Sequence, residues 1–322
     1  DKIDSKGIAK LGLSKDIPVS QFPAKLVLEL RSLTRKYYDL TDERSAHINK
    51  LKGDLHTVFP QYLDVFCDVT GKTSTMILRQ YGTPDKILRG HKKTMIEKIS
   101  KASRKGLAKA SERYEKLCAA ANAAKTFGCQ IDSIYFNIFL TLDLVEKLDS
   151  ALDSILNRIR QLITFNKNEK FIQQIKLLNT IPGVGFLTAV TIMCEIGDFS
   201  AFRNPKQLFA YFGLDPEVNE SGKFVGTQLH MSKRGSRIAR RAIFAVALAS
   251  IRTKRNGEGI NPYLRKYYEL KSGQKPKMVA IGAVMHKVCN IVFAVLRDEK
   301  AFELRSPEEH CKQYQRPALA AA

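Results

Sequence analysis

Asn219-Glu220-Ser221-Gly222-Lys223 is a polar loop in which a serine precedes a glycine. A serine hydroxyl works as a nucleophile when it is accessible and when cations stabilise charge on the phosphate it attacks. The chain supplies such cations at once: Lys223, Lys233, Arg234, Arg237, Arg240 and Arg241, then Arg252, Lys254 and Arg255. No Asp or Glu falls between Ser221 and Arg255. Arg234, Arg237 and Arg241 are three and four apart, so a helix over them would present all three on one face. Ile238, Ala242 and Ala245 would form the neighbouring apolar face. A Lys/Arg face without acidic partners reads as a phosphate-binding surface. Taken alone, Ser221 reads first as a loop or cap serine, and Ser232 and Ser236 compete with it for any catalytic role.

Two other patterns could touch nucleic acid or metal. Ile181-Pro182-Gly183-Val184-Gly185, between apolar helical stretches, reads as helix, tight hairpin, helix. Gly183 and Gly185 permit unusual backbone angles and close approach of a phosphate, and the second helix would offer it free N–H groups. The same pattern also serves as a plain helix–helix turn. Asp1 and Asp4 stand three apart, so a helix would bring their carboxylates to one side, where oxygen ligands could hold Mg²⁺.

The elements that must position these residues are mostly helical. Leu26, Leu30, Leu33, Tyr37, Leu40 and Leu51 recur at helical spacing within 22–52, with Arg44 and His47 interrupting the seam. A cleaner heptad runs from Ile134 to Leu162, through Ile138, Val145, Leu152 and Ile159 and through Ile134, Thr141, Leu148, Ile155 and Leu162. That pattern predicts a coiled coil; a long helix of an ordinary bundle is the alternative. The expected organisation is 1–21 as one segment, 22–170 as coiled coil with a Lys-rich helical insert at about 60–128, 171–302 as a second helical domain, and 303–322 as a disordered tail.

Composition narrows the partners. The 322 residues carry 53 Lys and Arg against 32 Asp and Glu, a net charge of +21. Such an excess attracts polyanions, nucleic acid foremost. The six cysteines contain no C-x-x-C pair, so they read as reduced packing residues rather than zinc ligands. Residues 281–296 read as a buried amphipathic helix and not as a membrane span.

Together these motifs resemble the insertion sequence 110 family of transposases, the bridge-RNA-guided recombinases. Ile181 to Gly185, Gly213-Leu214-Asp215-Pro216, Asn219 to Lys223, Met231 to Ser236 and the arginine-rich stretch appear in the family's order. Asp1-Lys2-Ile3-Asp4-Ser5 resembles the D-K-x-D-A motif, with serine for the final alanine. The resemblance implies a mostly α fold: a remnant of a RuvC-like (RNase H-type) domain, long coiled-coil helices with the insert, then a helical transposase domain holding a helix-hairpin-helix. It implies that Ser221 is the nucleophile and forms a covalent phosphoserine link to DNA. Asp1 and Asp4 would be the last two of four acids that bind Mg²⁺; the first two would then precede Asp1, and this chain alone would be inactive. Donor and target DNA, a structured guide RNA, and a homodimer or homotetramer through the coiled coil are the implied partners, in a prokaryotic cytoplasm at the nucleoid and with no membrane. Two other readings stand: a non-catalytic helix-hairpin-helix DNA-binding protein derived from a transposase, and a coiled-coil structural protein with incidental basicity.

Overall fold

A computed structural model describes residues 2–13, 23–129, 131–167, 169–217, 220–221, 224–225 and 230–309. In chain order the helices are α1 (Lys2–Leu13), α2 (Lys25–Val58), α3 (Tyr62–Val65), α4 (Lys72–Gln80), α5 (Pro84–Arg89), α6 (Lys92–Ser103) and α7 (Gly106–Phe127). Then follow α8 (Asp132–Phe165), α9 (Lys170–Leu178), α10 (Phe186–Ile196) and α11 (Pro205–Tyr211). A two-residue pair of strands, β1 (Glu220–Ser221) and β2 (Phe224–Val225), precedes α12 (Arg237–Ser250), α13 (Pro262–Ser272) and α14 (Lys277–Asp298). The protein is thus mostly α. It divides into two compact units, 35–161 and 1–34 with 162–322, with the divisions inside α2 and α8.

In unit 35–161, α2 and α8 run antiparallel. Arg44 of α2 donates to Asp149 of α8, while Thr57 O accepts from Cys129 N at 3.2 Å just before α8. Partners fall in number on one helix as they rise on the other. The Asp149 carboxylate raises the Arg44 pKa, so the cation that interrupts the first seam is matched across the pair. Ile138 of the heptad, with Tyr135 and Leu142, joins one hydrophobic core with Leu51, Leu55, Val58, Tyr62, Ile77, Ile99 and Leu117. The N-terminal part of that heptad therefore packs on the insert of its own chain. Val145, Leu152 and Ile159 are buried too, but Leu148 and Ile155 only partly. Phe136, Leu140 and Leu144, four apart on α8, form an exposed apolar stripe.

The insert closes around Tyr62. Its hydroxyl donates to Ser74 O at 3.0 Å, and its ring lies between Phe59 and Phe66 with centroids 5.1 and 4.9 Å away. Burial pushes the phenol's pKa up, as expected for a neutral donor in a dry core.

Unit 1–34 with 162–322 is organised on α14. By length and composition this helix is apolar enough to cross a membrane, yet it packs against α9, α11, α12 and α13. Val284, Val288, Cys289, Val292 and Phe293 are buried there. Cys194 and Cys289 match the expectation of packing thiols: burial pushes Cys194 up to about 12 and raises Cys289. Cys67 and Cys129 do not, since both are exposed. At the end of α10, Arg31 Nε donates to Cys194 O at 2.7 Å, placing a cation at the negative end of that helix. The tail expected from 303 is described as far as 309: Phe302 N donates to Thr180 Oγ1 at 2.8 Å, and Ser306 Oγ caps Glu309 N at 3.1 Å. Residues 310–322 lie outside the described residues.

Candidate active site and nucleic-acid interface

α11 starts at Asn204, whose side chain accepts from Gln207 N, with Pro205 at the first helical position. It ends at Phe212, and Gly213 follows at φ +65°. The chain then pairs antiparallel with itself before α12, in a ribbon whose described residues are 213–217 with 230–233 at the base and 220–221 with 224–225 beyond. At the ribbon's base Lys233 N donates to Gly213 O (3.0 Å), Ser232 N to Asp215 O (2.8 Å) and Glu217 N to His230 O (2.7 Å). Farther out, Glu220 pairs with Val225 and Ser221 with Phe224. Ser221 therefore belongs to the last described rung of the ribbon. Gly222 and Lys223, the two residues between the strands, lie outside the described residues.

The base is held by unusually close backbone contact. A Cβ on Gly235 would meet Tyr211 O at 2.0 Å, and one on Gly213 would meet Gly235 N at 2.4 Å. Neither position has room for a side chain. Arg240, one turn into α12, directs Nη1 at three carbonyls: Gly235 O at 2.7 Å, Lys233 O at 3.1 Å and Phe212 O at 3.2 Å. Those acceptors come from both sides of the base, so one guanidinium group ties them together. The serine competitors are engaged as well. Ser232 Oγ donates to Asp215 Oδ1 at 2.6 Å, and Ser236 Oγ accepts from Ala239 N at 3.2 Å as the cap of α12.

That cap corrects the predicted arginine face. α12 begins at Arg237, so Arg237 and Arg241 share a helix, while exposed Lys233 and Arg234 lie on the returning ribbon segment. Lys233 sits at φ +54°, a left-handed angle that costs a non-glycine residue roughly 1–2 kcal/mol. The apolar face is corrected too: Ala239, Ala242, Ile243, Val246, Ala247 and Ser250 are buried, whereas Ile238 is half-buried and Ala245 exposed. Small residues there let α12 approach α10 and α14 closely. The first turn of α12 has no acid and carries Arg237 and Arg240, with Arg241 following directly.

Gly183 and Gly185 lie between α9 and α10 as expected, but they differ. Gly183 has φ +97°, and a Cβ there would meet Ser250 Oγ at 2.5 Å and Ser250 N at 2.9 Å. Ser250 Oγ also donates to Pro182 O at 2.9 Å. Gly183 is therefore shaped by the end of α12. Gly185 caps α10 with no atom within 4 Å of a hypothetical Cβ and with no side-chain cap bond at that end of the helix.

Asp4 lies exposed in the first turn of α1, and Asp1 lies outside the described residues. No group of three or more His, Cys, Asp or Glu converges among the described residues. The one described carboxylate of the pair does not make a Mg²⁺ site by itself. Sequence reasoning had not singled out Asp215, Gly213 and Gly235 as a unit. The glycines gave a signal, since both flank short polar motifs, but their mutual contact is not visible in spacing.

The transposase domain of the IS116/IS110/IS902 family matches residues 175–269, from α9 into α13 and including the ribbon and α12. The DEDD transposase domain of IS110 matches residues 1–60. The chain is 23% identical over 88% of its length to the 43.6 kDa protein of insertion element IS110 from Streptomyces coelicolor, covering 66% of that protein. It is 24% identical over 95% of its length to the 44.8 kDa protein of insertion element IS116 from Streptomyces clavuligerus, covering 73% of it. The pilin gene-inverting protein of Moraxella bovis is 30% identical over 55% of this chain and 52% of its own length. The chain thus spans about half to three quarters of these relatives. Two domain matches in one chain, with insertion-element relatives aligned along most of it, show that the chain carries transposase domains of the IS110/IS116 type.

Proposed function

We propose that the protein cleaves and rejoins DNA strands during transposition of an insertion sequence, with Ser221 as nucleophile. The observation that carries this is the ribbon: Ser221 stands on its outer rung, and its base is fixed to the cationic start of α12 by Arg240. In the reaction the Ser221 Oγ–P bond forms as a P–O bond to one DNA strand breaks. The leaving strand takes a proton as its free hydroxyl, and the phosphoserine ester conserves the bond for rejoining. Lys233, Arg234, Arg237 and Arg241, with Lys223, supply positive charge for the phosphate oxygens. Gly185 and the N-terminus of α10 add a backbone contact of helix-hairpin-helix type, with no base recognition. Asp1 and Asp4, together with further acidic residues, would hold Mg²⁺, which would supply positive charge beside the phosphate under attack. Choice of donor and target by a structured guide RNA belongs to this reading on family resemblance. So does a homodimer or homotetramer at the nucleoid, which the exposed Phe136–Leu140–Leu144 stripe on α8 supports.

The test is a denaturing-gel assay for covalent protein–DNA adducts, with the serine at 221 changed to alanine in a protein carrying this chain and the complete DEDD domain. The adduct should vanish while DNA binding persists. An adduct that survives Ser221→Ala removes Ser221 from the reaction. If no adduct forms even with serine present, and binding alone is seen, the non-catalytic DNA-binding reading prevails.

A further inference from the structure

The insert between α2 and α8 has no part in the serine scheme, and it carries its own charge. From Lys86 to Lys109 stand nine Lys or Arg and a single acid, Glu97. All nine cations are exposed, on α5, α6, the α6–α7 turn and the start of α7. Beneath the turn lies a cleft of about 160 Å³, lined by Lys105, Lys109, Arg113 and Lys116 together with Ser103, Asp64 and Glu112. Lys109, Arg113 and Lys116 recur at helical spacing, so one face of α7 delivers them. Glu112 already engages Lys116 at 2.7 Å, which leaves the cleft net positive.

Size and chemistry define the occupant. Ligand pockets for small molecules run to about 300–1,000 Å³, so this cleft suits one charged group of something larger lying across the surface. The nearby rings are taken: Lys98 Nζ sits 5.7 Å from the Tyr81 ring centre, Lys92 Nζ 5.8 Å from that of Tyr114, and the Arg113 guanidinium 5.6 Å from that of Phe66. Exposed Phe127 lies at the far end of α7, about 27 Å from Lys109 at 1.5 Å per residue. A strand of unpaired bases needs open aromatic faces on which to stack. A regular phosphate backbone needs only cations, and lysines serve it as point charges.

We propose that this face of the insert is a second binding surface for duplex DNA, with one backbone phosphate seated in the cleft between Lys105, Lys109, Arg113 and Lys116. The proposal rests on the reading that the chain handles DNA, and it adds a contact independent of Ser221.

The test uses the full chain with Lys101→Gln, Lys105→Gln and Lys109→Gln combined, and fluorescence anisotropy with duplex DNA across salt. Each lost phosphate contact should reduce the slope of log affinity against log salt by about 0.9, hence by about 1.8 for the cleft phosphate shared by Lys105 and Lys109 and a second one at Lys101, with more than tenfold weaker binding near 0.1 M salt. The same three positions changed to Arg should retain the slope. An unchanged slope in the Gln variant overturns the proposal, as does a loss confined to structured or duplex RNA. The two readings separate cleanly. If Ser221→Ala keeps the adduct while the Gln variant loses duplex binding, the serine assignment fails and the insert surface stands; the reverse pair of results sinks the insert surface alone.

Discussion

Ser232 Oγ donates to Asp215 Oδ1 at 2.6 Å while the Ser232 N–H donates to the Asp215 carbonyl at 2.8 Å. The double link makes these two residues a rung of the ribbon below Ser221. It also makes Ser232 the rival nucleophile, because a serine donating to a carboxylate has a proton acceptor in place. The two roles separate by substitution. Ser232→Ala should lower adduct yield severalfold and leave the DNA-linked peptide, identified by mass spectrometry, at Ser221. Asp215→Ala should act in the same direction and more strongly, since it leaves the Ser232 hydroxyl without its acceptor. Abolition of the adduct by Ser232→Ala, with Ser221→Ala retaining it, would transfer the chemistry to Ser232.

Arg240 and Arg234 are six residues apart in one cationic run, and sequence assigns both to DNA. The structure gives Arg240 three carbonyl acceptors at the ribbon base and leaves Arg234 exposed beside it. Hydrogen bonds from a charged donor contribute about 1.5–3 kcal/mol. Arg240→Gln should therefore lower the melting temperature by several degrees and reduce adduct yield, with little change in the salt slope of DNA binding. Arg234→Gln should do the opposite: an unchanged melting temperature and a slope smaller by about 0.9. Matching effects from both variants would mean that Arg240 meets phosphate directly.

The contrast shows what sequence could and could not reveal. The helical character of both units, the α9–α10 hairpin and the cationic segment after Ser221 follow from local spacing and charge, which local rules capture. The function of Arg240 depends on Gly213 and Gly235 pressing two backbone segments together, a contact between residues that are distant along the chain. The heptad was similarly ambiguous: its periodicity demanded a partner for α8 but could not specify that Ile138 meets the insert of its own chain. α12 starts three residues later than a helical face through Arg234 requires because Ser236 is its cap, which only the hydrogen bond from Ala239 N decides.

His286 gives a prediction about pH. On α14 its ring meets Phe209 edge-on with centroids 4.6 Å apart, and burial, aided by Lys287 and Lys206, lowers its pKa. The unfolded chain then binds a proton more readily than the folded one. Stability from this group is complete above the ordinary histidine value near 6.5 and declines as pH falls through it toward the lowered folded value. The melting temperature should drop between pH 7.5 and 5.5. His286→Phe, which keeps an aromatic contact and cannot be protonated, should flatten that drop. An equal drop in both proteins would place the titration elsewhere.

Gly183 and Gly185 pose the last question, because one pentapeptide motif serves two purposes. Gly183 combines φ +97° with contact against the Ser250 backbone, so an added methyl faces both a disfavoured angle and an atom that cannot swing aside. Gly183→Ala should cost about 2 kcal/mol or more, read as an earlier midpoint in denaturant. Gly185 has an ordinary φ of −86° and open space where a Cβ would go. Gly185→Ala should leave the midpoint nearly unchanged. If a phosphate approaches this backbone, however, the new methyl stands in its way and duplex affinity should fall severalfold. Unaltered affinity in a fully folded Gly185→Ala protein would reduce the α9–α10 hairpin to a helix-packing turn and move DNA contact wholly onto the ribbon and α12.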